Sequence, residues 1–395
     1  MSHLMNTYNR LPVAFTHGKG AWLYAEDGKE YLDALAGIAV SGLGHAHPKL
    51  AAALADQAGK LIHTSNIYRI REQEQLADRL CAISGMREVF FGNSGSEANE
   101  AALKLVRFYG HKHGNPQAQT IVMQNAWHGR TLATLAATGS EKARKGFDPL
   151  PSGFIQVPYN DLAAVERAAA VDPRVLAVWL EVLQGEGGIH VADRDYVRAL
   201  RRLCDERGWL LMIDEVQSGI GRTGKWFGFQ WSEIEPDVIT VAKGLGSGIP
   251  IGAIAVTKRA AGVFGPGNHG TTFGGGPFAC RAGLETLRII EDEGLIANAA
   301  AQGDRIRAGL ARELAGVAGV LAIRGRGLMI GVEMDRPCGE LVTMALDAGL
   351  LINVTQDSVI RLLPPLIIRA READEIVARL APCVRRFAAA VQRAA

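Results

Sequence analysis

The sequence predicts an α/β protein: a large domain with a mostly parallel central sheet flanked by helices, joined to a smaller α+β domain. Three observations predict it. Between residues 89 and 242, short apolar runs of buried-strand length alternate with stretches of helical apolar spacing, the pattern of successive βαβ units. Two of those runs, 209–213 and 238–242, end directly in an acid and an amine, Asp214 and Lys243. Beyond residue 280 a long helical stretch gives way to scattered strands and two further helices, which marks a second unit.

The elements follow in order. Residues 20–35 carry the turn Glu26-Asp27-Gly28-Lys29 between short apolar stretches and read as a β-hairpin. Helical spacing covers 48–61 and 72–84. Val89-Phe90-Phe91 is a strand that leads through Gly92-Asn93-Ser94-Gly95-Ser96 into a helix over 97–109, where Ala98, Ala101, Ala102, Leu105 and Phe108 share one face. Strands are expected at 120–123, 154–157 and 175–180, with helices at 161–170 and 193–207. Residues 281–316 read as one long helical stretch, followed by strands at 328–332 and 359–363 and helices at 338–348 and 372–388. The expected division is an N-terminal segment, 1–47, that joins the small domain, a large domain over 48–295 and a C-terminal small domain over 296–395.

Composition narrows the function classes. The 395 residues are 48% hydrophobic and 21% charged, ordinary values for a soluble globular protein. A net charge of +2 leaves no concentrated basic face for nucleic acid. The five cysteines, Cys81, Cys204, Cys280, Cys338 and Cys383, are dispersed and form no CxxC pair. They read as reduced thiols rather than a disulfide frame or a zinc site. No apolar stretch approaches the roughly 20 residues of a membrane span, and no signal-peptide pattern opens the chain, so a cytoplasmic location is expected. His45 and His47 lack a third ligand and read as a turn with hydrogen-bonded imidazoles, while His111 and His113 read as exposed helix-end residues.

The chemistry-bearing positions are few. In an open α/β sheet, ligands sit beyond the C-terminal strand ends, which is where Asp214 and Lys243 fall. An amine condenses with a carbonyl and an acid holds a nearby cation, which suits pyridoxal 5'-phosphate (PLP). Asn93-Ser94-Gly95-Ser96 joins a strand to a helix start, where free backbone N–H groups bind anions. Taken alone, the same segment reads as an ordinary cap with Ser96 at the N-cap. Trp127 offers a stacking ring and Arg130 a carboxylate grip, although in isolation both read as loop residues. Gly219-Ile220-Gly221-Arg222-Thr223-Gly224 is a literal GxGxxG, but Lys225-Trp226-Phe227-Gly228-Phe229 starts no helix, so no dinucleotide site is expected. A P-loop fails as well, because Trp226 stands where Ser or Thr holds Mg²⁺.

Together these segments resemble the class III, fold-type I PLP-dependent aminotransferases, and among them the acetylornithine-using bacterial members. The resemblance rests on Gly44-His45-Ala46-His47-Pro48, Asn93 to Glu100, His128-Gly129-Arg130, Gln184-Gly185-Glu186-Gly187-Gly188 and Asp214-Glu215-Val216-Gln217. Ala242-Lys243-Gly244-Leu245, His269 to Gly275 and Arg361 before Pro364-Pro365 extend it across almost the whole chain.

The resemblance implies a set of roles. Lys243 bonds to the cofactor aldehyde and later moves protons; Asp214 pairs with the pyridine nitrogen; Gln217 contacts the ring hydroxyl; Gly95 and Ser96 hold the phosphate; and Trp127 stacks on the ring. Thr271 and Thr272 belong to the same set, with Thr272 reaching the cofactor phosphate of the neighbouring subunit in a homodimer. Arg130 and Arg361 anchor substrate carboxylates, and Glu186 releases Arg361 only when glutamate is bound. The implied reaction is ping-pong transfer of the δ-amino group of N2-acetylornithine to 2-oxoglutarate, giving N-acetylglutamate 5-semialdehyde and glutamate. Glu181-Val182-Leu183 and Gly274-Gly275-Gly276-Pro277 depart from the family pattern without touching these roles. Ornithine, succinylornithine, 4-aminobutyrate and N-succinyldiaminopimelate remain alternative donors. Tyr8 keeps ornithine open, and Ile38, at a position where ornithine enzymes carry a second tyrosine, speaks against it.

Overall fold

Seven strands form the central sheet of the computed structural model, which describes residues 3–392. Residues 1–2 and 393–395, the tips of the expected first and last segments, lie outside the described residues. In chain order the strands are β1 (Glu88–Gly92), β2 (Gln119–Met123), β3 (Phe154–Val157), β4 (Val175–Leu180), β5 (Leu210–Asp214), β6 (Val238–Val241) and β7 (Gly252–Val256). They lie in the order β1-β7-β6-β5-β4-β2-β3. All run parallel except β7, which is antiparallel to both its neighbours.

Every residue of β4, β5, β6 and β7 is buried. Helices cover both faces, so these strands read as unbroken apolar runs rather than alternating ones. The two-residue side-chain period then sorts each strand between two cores. Leu211 and Ile213 of β5 join the larger core with Val178 and Ile239, while Leu210 and Met212 join the other with Trp179 and Val238.

The antiparallel β7 was not anticipated. Its first residue, Gly252, passes so close to the turn after β1 that a Cβ there would lie 2.2 Å from the Ser94 carbonyl oxygen. The strand thus presses that turn against the open end of the sheet.

A second sheet, Val320–Arg326, Met329–Met334, Val359–Leu362 and Asn353–Thr355, is antiparallel throughout. The expected hairpin forms between Trp22–Ala25 and Glu30–Asp33, with an unforeseen third strand, Phe15–Lys19, beside it. Leu350–Leu351 pairs in parallel with Glu30–Asp33, which ties the N-terminal segment to the C-terminal one. The single long helix expected over 281–316 is two helices, Pro277–Asp292 and Leu295–Glu313. They part at Gly294, whose φ of +62° lies in the left-handed region that ends a helix.

The glycine-rich stretch 219–224 is a packed turn, and the helix that follows, Gly228–Ser232, is a short 3₁₀ segment that begins four residues beyond it rather than at its last glycine. A Cβ on Gly224 would lie 2.9 Å from the Ala300 Cβ, and the buried Arg222 donates to the carbonyls of Leu328 (3.2 Å) and Pro364. Its task is to fasten the large sheet to the C-terminal segment. His45 Nε2 lies 2.8 Å from Asp33, and His47 pairs with Glu293 at 3.6 Å. All five cysteines are free thiols, and no cluster suited to a metal ion occurs among the described residues.

Candidate active site

The parallel strands β4, β5 and β6 are neighbours and end at one sheet edge. Glu181 follows β4, Asp214 closes β5 and Lys243 follows β6 by two residues. Beyond that edge lies a cavity of about 320 Å³ that all three line, together with Ser96, Trp127 and Gln217.

Lys243 opens a single 3₁₀ turn, Lys243–Leu245, with a φ of +43°. A non-glycine residue in that region is strained by about 1–3 kcal/mol and persists where its surroundings over-determine it. Its Nζ has no hydrogen-bond partner among the described residues. Burial lowers the pKa of the amine, opposed by the nearby Glu186 charge and aided by Arg361. A desolvated amine below its usual range is a better nucleophile at neutral pH.

Asp214 is buried, and its Oδ2 accepts from Asn99 Nδ2 (2.8 Å) and lies 2.8 Å from His128 Nδ1. Oδ1 accepts from the Val216 backbone N–H at 3.0 Å. A proton on His128 Nδ1 would complete the hydrogen bond to this carboxylate. The His128 ring stacks on Trp179 with centroids 3.7 Å apart, which fixes its plane. The carboxylate is therefore held immobile, its charge directed at whatever cation the cavity receives.

The helix Gly95–Lys112 points its N-terminus into the same cavity. Ser94, not Ser96, is its cap: Ser94 Oγ accepts from the Glu97 N–H at 3.2 Å. With Ser94 as the cap, the Ser96 hydroxyl and the Gly95 and Ser96 N–H groups are left for a ligand. Crowding explains two glycines here. A Cβ on Gly95 would lie 2.6 Å from Val216 Cγ1, and one on Gly129 would lie 2.7 Å from Ser96 Oγ.

Trp127 lines the cavity, and its backbone N–H donates to Glu181 Oε2 at 2.9 Å. The exposed Arg130 guanidinium sits over the Trp127 ring, 4.9 Å from its centroid, with no carboxylate paired to it among the described residues. Burial pushes the Glu181 carboxyl up to about 8, with the Asp214 charge acting the same way and the Trp127 and Gly185 N–H groups opposing. Arg361 is 1% exposed, and its Nη1 donates to Glu186 Oε1 at 2.7 Å and to Gln217 Oε1 at 3.4 Å.

Thr271 and Thr272 stand apart from this group. Thr271 Oγ1 lies 3.4 Å from Asn93 Nδ2 and accepts from the Gly274 N–H, whereas Thr272 is exposed on a neighbouring surface cleft.

Sequence reasoning missed three members of the site: Asn99, the His128–Asp214 contact and Glu181. Glu181 had the same signal as Asp214, an acid directly after a buried apolar run. Asn99 and His128 lie in segments that carry the family resemblance, but nothing local marks their meeting with Asp214, which lies 115 and 86 residues away.

The donor set fits PLP. A helix N-terminus with two side-chain-intolerant glycines suits a phosphate, a hydrogen-bonded buried carboxylate suits a ring nitrogen, and an unpartnered amine lines the same cavity.

The family profile described as aminotransferase class-III matches residues 4–384. Acetylornithine aminotransferase 1 of Bordetella bronchiseptica is 63% identical over 391 residues, covering 99% of this chain and 100% of that protein. The acetylornithine aminotransferase of Nitrosomonas europaea is 54% identical over 98% of both chains. Among solved structures, the ornithine aminotransferase of Toxoplasma gondii ME49 superposes with a TM-score of 0.94 at 33% identity, covering 98% of this chain and 93% of that one. The N-acetylornithine aminotransferase of Stenotrophomonas maltophilia K279a gives 0.84 at 35% identity, covering 97% and 98%.

Proposed function

We infer the activity from one premise: the chain belongs to the class III aminotransferases. It is a PLP-dependent transaminase, and its reaction is transfer of the δ-amino group of N2-acetylornithine to 2-oxoglutarate, a step of arginine biosynthesis. The observation that carries the substrate reading is the Glu186–Arg361 pair beside Lys243. Glutamate brings a carboxylate next to the reacting carbon and acetylornithine does not. A buried guanidinium left unpaired is costly, so a carboxylate that covers Arg361 for one substrate and yields it to the other suits this pair of reactants.

When bound, PLP supplies an aldehyde carbon that accepts and returns an amino group and a ring that withdraws electrons. The protein's residues do the rest. The Gly95 and Ser96 N–H groups and the Ser96 hydroxyl would hold the phosphate at the helix N-terminus. Asp214, steadied by Asn99 and His128, keeps the ring nitrogen protonated. Trp127 and Gln217, which line the same cavity, would hold the ring by stacking and by a hydrogen bond to its hydroxyl. Lys243 Nζ takes the proton from the amine-bearing carbon of the donor and delivers one in the reverse half of the cycle. Arg130, stacked on Trp127, grips the carboxylate remote from the reacting carbon.

The site is completed by a second copy of the chain. Leu61, Ile62, Ile67, Tyr68 and Phe273 are exposed apolar side chains on two segments that meet, a surface suited to a second copy of the chain. Asn66 ties the two segments together by donating to the carbonyls of Thr271 (3.3 Å) and Gly274 (3.0 Å). Thr271 and Thr272 then serve the partner's cavity. No helix among the described residues is long and apolar enough to cross a membrane.

The test is a panel of half-reactions on the PLP-loaded enzyme, with acetylornithine, succinylornithine, ornithine, 4-aminobutyrate and glutamate added singly while cofactor absorbance is followed. Fast change with acetylornithine and glutamate and slow change with ornithine is the expected result. Fast reaction with ornithine and none with acetylornithine overturns the substrate.

A further inference from the structure

We propose that Glu181 is the positioning residue that holds the two carboxylate anchors, Arg130 and Arg361, in register with one another; the proposal rests on the transaminase reading above. Two chains of contact start from its single carboxyl group. Oε2 accepts from the Trp127 N–H at 2.9 Å, and the Trp127 ring carries the Arg130 guanidinium at 4.9 Å. Oε1 accepts from the Gly185 N–H at 3.3 Å, and the next residue, Glu186, holds Arg361 at 2.7 Å.

The surroundings leave this foot little room to shift. Glu181 is 5% exposed, and the Tyr159 hydroxyl donates to its backbone carbonyl at 2.7 Å. The loops it joins also touch. Gln184 Nε2 donates to the Gln124 carbonyl at 2.8 Å, and a Cβ on Gly187 would lie 2.6 Å from the Asn125 carbonyl oxygen. Gly185 packs so tightly on Gln217 that a Cβ would come within 2.2 Å of its Oε1, the same atom that accepts from Arg361. Loosening Glu181 therefore frees both loops at once.

A dicarboxylate spans both anchors, whereas acetylornithine engages Arg130 alone. Register between the anchors thus matters for 2-oxoglutarate and glutamate and far less for the ω-amine donor. Glu181→Gln keeps one acceptor oxygen and turns an NH₂ group toward the other backbone donor, so one link breaks without leaving a cavity.

The experiment pairs two readouts. In the cofactor-free protein, amide hydrogen exchange over 124–131 and 182–188 is expected to quicken in both segments together in Glu181→Gln. In the loaded enzyme, the KM for 2-oxoglutarate is expected to rise about tenfold, with that for acetylornithine changing less than about threefold. Glu181→Asp, which retains two acceptor oxygens on a shorter stem, should show the same split at smaller size and serves if the first variant does not fold. Exchange confined to one loop, or a proportional rise in both KM values, overturns the proposal. Exchange needs no substrate, so its outcome stands apart from the reaction itself. An unaltered enzyme that fails to turn over acetylornithine with 2-oxoglutarate refutes the transaminase reading instead.

Discussion

Arg361 Nη1 lies 2.7 Å from Glu186 Oε1 across 175 residues of sequence, in a guanidinium that is almost wholly buried. Asn353 Oδ1 receives Nε at 3.1 Å and Gln217 Oε1 receives Nη1 at 3.4 Å, so two neutral acceptors remain when the carboxylate swings away. The pair is a contact with a standby arrangement, which is what an enzyme serving two unlike amines needs.

Glu186→Gln is expected to separate the two half-reactions. Removing the charge leaves Arg361 free to the cavity, which suits glutamate and not acetylornithine. Single-turnover rates should fall about tenfold or more for acetylornithine, with a smaller change for glutamate, on the scale of one charge-assisted hydrogen bond. Equal losses for both amines would refute the gating role.

Lys243→Met is expected to abolish turnover yet stabilise the cofactor-free protein near neutral pH. The folded-state pKa of Lys243 is lowered, chiefly by burial, so between that value and the unfolded value the unfolded chain binds more protons. Stability of the unaltered protein therefore rises with pH through that window, and the penalty is complete below the folded pKa. Melting temperatures of the two proteins should differ most below this window and converge as pH approaches about 10.4.

Glu215 carries the opposite sign. Burial pushes its carboxyl up to about 7, while hydrogen bonds from Ser218 Oγ and the Gly228 and Phe229 N–H groups pull it down. Between the unfolded value of about 4.3 and the folded one, the folded protein binds more protons, so stability falls as pH rises. Glu215→Gln is expected to lower stability overall and to flatten the melting curve against pH between about 5 and 7. A slope equal to that of the unaltered protein would rule out this contribution.

His128→Phe preserves a ring to stack on Trp179 and removes the partner of Asp214. PLP affinity and turnover should each fall by about tenfold, the scale of a hydrogen bond to a charged group. Cofactor release followed by absorbance measures the first, and an unchanged dissociation constant would show that Asn99 suffices to hold the carboxylate.

Local pattern carried much of the site. Lys243 and Asp214 are legible because a buried strand writes an apolar run and its end falls at the next polar residue. The helix after β1 is legible through its 3.6-residue period, although its cap is Ser94 rather than Ser96, since the φ and ψ of the turn and not residue type alone select the cap. The break at Gly294 went unread because apolar spacing continues on both sides of it, and only the backbone conformation shows the stop.

The sequence by itself determined that buried strands alternate with helices, that an amine and an acid stand at strand ends, and that no other site of comparable chemical content competes with them. Only the tertiary structure decided that β7 runs backwards beside β1, that Asn99 and His128 meet on Asp214, and that one buried carboxyl, Glu181, joins the loops of Trp127 and Glu186. The physical reason is range. Hydrogen-bond periodicity and side-chain burial imprint a strand or helix within a few residues, whereas these contacts depend on which strands become neighbours. Strand order is settled by packing the whole sheet between its helices.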